Sequence, residues 1–134
     1  MDDIKKLREL RAGGCCCAQV MVSMGLEALG EENERLVAAA AGLCGGMKSG
    51  LLCGALSGAA CMLSMFDGEN AAAMIGELRE WFEEEYGNVN CIELLDGDPS
   101  NRTRVCPQLI ENTYLKAKEI LGTYGYVLDE MFKA

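Results

Sequence analysis

Histidine is absent from the 134 residues, and proline occurs only twice. Without histidine there is no Ser-His-Asp triad, no Cys-His pair, no histidine-ligated metal and no histidine-anchored haem. No C-x-x-C pair occurs either, which speaks against zinc knuckles and thioredoxin-like dithiols. Basic charge is scarce: 12 Lys and Arg face 21 Asp and Glu, for a net charge of -9. That field repels polyanions, so nucleic acid and anionic membrane surfaces are poor partners. The start, Met1-Asp2-Asp3-Ile4-Lys5-Lys6-Leu7-Arg8, lacks an unbroken apolar run and does not read as a secretory signal. Leu51 to Phe66 carries no charge, yet it is shorter than the about 20 apolar residues of a bilayer span and weak in Leu, Ile and Val. It reads as a buried core helix, with no membrane insertion. Asn101-Arg102-Thr103 matches a glycosylation sequon, a chance match without a secretory route.

Sulfur is what the chain has in abundance, with 8 cysteines and 8 methionines. The length fits one domain over residues 1–134, and a chain of this size buries roughly two-thirds of the surface its unfolded form exposes. A core is therefore available without disulfide staples. In a cytoplasmic chain, so many cysteines point to metal binding or thiol chemistry.

Apolar residues recur at helical spacing almost throughout. Cys17, Met21, Met24 and Ala28 form one stripe, stopped by Gly30, a C-terminal cap. Leu36, Ala39, Ala40 and Leu43 form a second before Gly45-Gly46, and a third helix is expected from about Gly50 to Phe66. Ala71, Met74, Ile75, Leu78 and Phe82 form a fourth stripe; Ile110, Tyr114, Ala117 and Leu121 form the last, on a helix starting at Pro107. Residues 88–103 read as irregular, with a short helical turn first and a turn at Asp98-Pro99. The expected fold is an all-α, single-domain bundle of five to six helices around a Gly/Ala-rich central helix. Gly50, Gly54 and Gly58 fall four apart, and interior helix glycines cost about 1 kcal/mol each against alanine. A close helix crossing explains them, with cofactor approach as the alternative. Gly45 to Gly50 partly resembles a phosphate-binding loop, but Met47 stands where the second glycine belongs and no strand precedes it.

Four cysteines share a position relative to expected helix starts. Cys17 follows Gly13-Gly14, and Cys53 follows Ser49 as N-cap. Cys91 follows Asn90 with Glu93 placed for a capping box, and Cys106 precedes Pro107 as the cap itself. A helix start carries about half a positive charge and free N–H donors, which favour a thiolate. Four such thiolates, if brought together, suit an iron–sulfur cluster or a tetrathiolate metal such as zinc. Cysteine is also a common core residue, and Cys61, inside the Gly/Ala helix, reads that way. Cys44 ends a helix and could approach Cys53 after the Gly-Gly bend. Cys15 and Cys16 are expected to point away from the Cys17 face, at about 100° per residue, as spare thiols or a second choice of ligand.

The same residues carry a resemblance. Cys53-Gly54-Ala55-Leu56-Ser57-Gly58, with Cys17-Ala18-Gln19, Gly45-Gly46-Met47, Cys91-Ile92-Glu93-Leu94-Leu95 and Cys106, resembles the redox-active proteins labelled C_GCAxxG_C_C over residues 14–121. The cysteine and first glycine are transposed relative to the label. The resemblance implies redox activity resting on four cysteines, and a similar domain in split-Soret cytochromes implies iron–sulfur ligation. Four additional cysteines depart from the pattern, so the ligand among Cys15, Cys16 and Cys17 stays open.

Three functions compete. The first is a cluster- or metal-binding redox protein, an electron carrier, sensor or oxidoreductase, with Cys17, Cys53, Cys91 and Cys106 as ligands and a redox partner protein. The second is a metal-free thiol oxidoreductase or sensor cycling two of the four, Cys53 and Cys91 foremost, with Lys48 adding positive charge near Cys53. The third is a structural or partner-binding bundle, a homodimer through Met62, Met65 and Met74.

Overall fold

The computed structural model describes residues 2–132, and these form an all-α fold. The order is α1 (Asp3–Ala12), α2 (Cys17–Leu29), α3 (Glu34–Ala40), α4 (Gly54–Phe66), α5 (Ala71–Tyr86), α6 (Cys91–Leu94), α7 (Arg102–Thr123) and α8 (Leu128–Met131). No strand occurs among the described residues; Leu52 and Asn90 make one isolated antiparallel bridge. No described helix is long and apolar enough to cross a membrane. The helices outnumber the expected five to six because α1 and the one-turn α8 escape a stripe-based reading. In α1 charged residues dominate and the fully buried apolar side chain is Leu7 alone. Its start is fixed instead by Asp2, whose carboxylate accepts the N–H of Ile4 at 3.1 Å and of Lys5 at 3.3 Å.

The core lies between α2 and α4 and is closed by α5 and α7. Met21, Met24, Met62, Leu63, Met74, Leu78, Phe82, Tyr114 and Leu121 are fully buried there. Met62 and Met74 thus belong to the monomer's interior and are not available for the dimer face expected from sequence, while Met65 is partly buried. Where α2 meets α4, a Cβ on Gly58 would stand 2.7 Å from the Cα of Ala18. Gly58 is therefore a contact between backbones, as the close-crossing reading expects.

Two helix starts differ from expectation, each for a local reason. Helix α4 begins at Gly54 with Cys53 as N-cap, not near Gly50 behind Ser49. Gly45, Gly46, Met47, Lys48 and Gly50 all have φ between 58° and 73°, a left-handed path that a right-handed helix cannot share. Gly50 consequently leaves the glycine flank and packs against Ile92. Helix α7 begins at Arg102, so Pro107 lies inside it and Cys106 is not its cap. The start signal belongs to Asp98-Pro99: the Asp98 carboxylate accepts the Ser100 N–H at 3.0 Å, and Pro99 opens a 3-10 turn leading into α7.

Candidate functional site

Cys17, Cys53, Cys91 and Cys106 come from four separate segments and line one cavity of about 300 Å³. Cys17 is the first residue of α2, Cys53 the cap of α4 and Cys91 the first residue of α6, while Cys106 lies in the second turn of α7. A two-bond clasp ties two of these segments together. The Cys53 N–H donates to the Val89 carbonyl at 2.8 Å, and the Cys91 N–H donates to the Leu51 carbonyl at 2.6 Å. Gly54 makes room for the sulfur opposite: a Cβ there would stand 2.5 Å from Cys17 Sγ and 3.0 Å from the Leu43 carbonyl oxygen. Of the three spaced glycines, Gly58 serves the helix crossing and Gly54 serves the sulfur.

Backbone amides point at the Cys17 and Cys53 sulfurs, but burial outweighs them. Burial pushes the Cys53 thiol up to about 12, although the N–H groups of Leu56 and Ala55 act to lower it. Cys17 is also raised by burial, against N–H groups of Gly45, Ala18 and its own backbone. Cys106 is raised by burial and by the nearby Cys17 and Cys91. The expectation of thiolates at helix starts is thus reversed for these three. A helix start offers about half a charge, whereas burial removes the whole hydration of an anion. At pH 8, iodoacetamide should therefore label the exposed Cys61 long before Cys53 in the folded protein. Comparable rates by peptide mass mapping would contradict the burial assigned to Cys53.

The other cysteines depart further from sequence. Cys16 and Cys44 form a disulfide with 6.2 Å between their Cα atoms, and both sulfur-bearing residues sit on the cavity wall beside Cys15. The expected turn away from Cys17 fails because Cys16 is extended, with φ -82° and ψ 172°; helical spacing does not yet apply there. It is the N-cap of α2, and Gln19 Oε1 accepts its N–H at 3.1 Å. Cys16 with Gln19 three residues on was a capping-box signal available in the sequence. Cys61 is on the exposed side of α4, not in the core.

A second, outer cavity of about 450 Å³ shares Cys16, Cys44, Cys91 and Arg102 with the inner one and adds Lys48, Ser49 and Asp98. Lys48 therefore lines one cavity with Cys91 and the disulfide, and Cys53 is not on that wall. Arg11 and Arg102 line the inner cavity, where no carboxylate does among the described residues. Sequence gave no hint of either arginine. As the side chains stand, no three Cys, Asp or Glu among the described residues are near enough together to hold a metal ion.

Compared with known proteins, the chain matches the family described as "Putative redox-active protein (C_GCAxxG_C_C)" over residues 15–120. No curated protein and no solved structure matches it. The matched span contains all eight cysteines, every residue lining the two cavities except Arg11, and the chain from the start of α2 to the last turn of α7, and on that ground the chain belongs to the C_GCAxxG_C_C family.

Proposed function

We propose that the inner cavity is the seat of an iron–sulfur cluster and that the protein carries or senses electrons. The observation that supports this most is the gathering of Cys17, Cys53, Cys91 and Cys106 around one 300 Å³ space. The donor set suits such a group: the four thiols with Cys15 beside them, no histidine, and two arginines to offset anionic sulfur. A tetrahedral zinc would use the same four thiolates, and iron and sulfide content separates the two. Gly54 adds to the fit, since any side chain at that position would take the space of Cys17 Sγ.

The chain's own groups have definite tasks in this reading. The four sulfurs would hold the cluster, which would supply one-electron chemistry. Cationic metal bound to thiols releases their protons, so loading overcomes the burial that keeps Cys53 and Cys17 neutral. The amides of Ala55, Leu56, Ala18 and Gly45 would then donate to anionic sulfurs, and such hydrogen bonds tune cluster potentials. The test is iron and acid-labile sulfide content after oxygen-free purification. A brown protein with both is expected, and Cys17→Ser, Cys53→Ser, Cys91→Ser and Cys106→Ser should each lose most of the iron. A colourless wild type with those four thiols titratable would refute the proposal.

A further inference from the structure

We propose that the outer cavity binds a small anionic thiol and exchanges it with the Cys16–Cys44 disulfide. This goes beyond the cluster reading and does not rest on it, since neither sulfur belongs to the four assigned to the inner cavity. Three observations carry it. First, the disulfide forms part of the wall of a cavity of about 450 Å³, within the range of ligand sites. Cys16 is partly exposed while Cys44 is buried, which makes Cys16 the sulfur an incoming thiolate can reach.

Second, local charge opposes the charge of the whole chain. The molecule carries -9, yet this cavity is lined by Lys48 and Arg102 against one carboxylate, Asp98. Neither cation makes an ion pair among the described residues. The Asp98 carboxylate is turned toward Ser100, accepting its N–H at 3.0 Å and its hydroxyl at 2.8 Å. Third, Lys48 is fixed on this wall by a left-handed backbone, with φ 58° in a non-glycine residue and φ 61° at Met47. That conformation is uncommon outside glycine and is found at functional sites.

The exchange is a balanced two-step reduction. The thiolate attacks Cys16 Sγ, forming a mixed disulfide; the Cys16–Cys44 bond breaks and its electron pair leaves on Cys44, which takes up a proton. A second thiolate attacks the ligand sulfur of the mixed disulfide and releases the ligand's own disulfide. The departing Cys16 sulfur belongs to the N-cap residue of α2, which favours it as a leaving group. Two thiols are oxidised, one disulfide is reduced, and the two thiol protons end on Cys16 and Cys44. The reverse sequence oxidises the pair.

The test compares mercaptoethanesulfonate, mercaptoethanol and cysteamine, anionic, neutral and cationic, at equal thiolate concentration and low salt. Opening of the Cys16–Cys44 bond is followed by mass-tagging and peptide mapping, each rate being normalised to that thiol's rate with a neutral small disulfide. The sulfonate should be about tenfold faster than cysteamine, an order opposite to that set by the net charge. The preference should collapse in about 1 M salt, where screening acts within about 3 Å, a measurement that needs no variant. The pair Lys48→Gln and Arg102→Gln should abolish it, and Lys48→Arg with Arg102→Lys should retain it. Equal normalised rates, a faster cysteamine, or a preference indifferent to both salt and the glutamine pair would overturn the proposal.

Discussion

Gly58→Ala should destabilise the protein by about 2–4 kcal/mol, lowering its melting temperature by roughly 10 °C. The added methyl would stand 2.7 Å from the Ala18 Cα and 3.0 Å from its carbonyl oxygen. Both are backbone atoms, so α2 and α4 must separate to admit it. Gly54→Ala should cost a similar amount, because its methyl meets Cys17 Sγ, the Leu43 carbonyl and the Cys44 Cα together. It should also disturb the inner cavity, which Gly58→Ala touches only through the tilt of α2. Gly76→Ala is the control of opposite sign. Gly76 lies inside α5 with open space where a Cβ would be, so alanine there should stabilise by about 0.5–1 kcal/mol. Thermal unfolding of the three variants decides the matter, and losses under about 1 kcal/mol at both Gly54 and Gly58 would mean that neither approach is real.

Asp3→Ala should cost about 2–4 kcal/mol. Its carboxylate Oδ2 accepts the Tyr114 hydroxyl at 2.8 Å and the Lys118 ammonium at 2.7 Å. Tyr114 is fully buried, so removal of the carboxylate strands a hydroxyl without water. Burial by itself would raise the Asp3 carboxyl, but Lys118, Tyr114 and the Ile4 N–H together hold it below the usual range. A lowered carboxyl gives stability that is present above the unfolded value, about 3.9, and lost as pH falls through the folded one. Wild type should therefore lose stability more steeply than Asp3→Asn as pH falls below about 4. Parallel acid-unfolding curves for the two proteins would show that this network does not couple to the fold.

Burial explains why helix-start position does not make thiolates of Cys17 and Cys53. Position near a helix start is written in local sequence, as Asn90 before Cys91 and the glycines before Cys17 illustrate. Desolvation is a property of what packs around a sulfur, and for Cys53 it prevails over two amides. The Cys16–Cys44 bond was illegible for a related reason. Its partners are 28 residues apart, and they meet because α3 and the 3-10 turn after it pack back on α2, burying Ala40 and Cys44 against Ala18 and Val22. Nothing in the spacing of eight cysteines selects that pair. Pro107 misled because proline is a start signal only in a first turn, and Asp98-Pro99 had already supplied one.

By itself the sequence determined the helical class, the stripes of α2, α5 and α7, and an inventory rich in sulfur and without histidine. Those are local matters of periodicity, side-chain size and residue inventory. Tertiary structure alone decided which sulfurs are neighbours, which two are bonded, and which cations face them in a chain that is acidic as a whole. These depend on contacts between segments remote in the chain, where desolvation and backbone clearance, not local propensity, set the outcome.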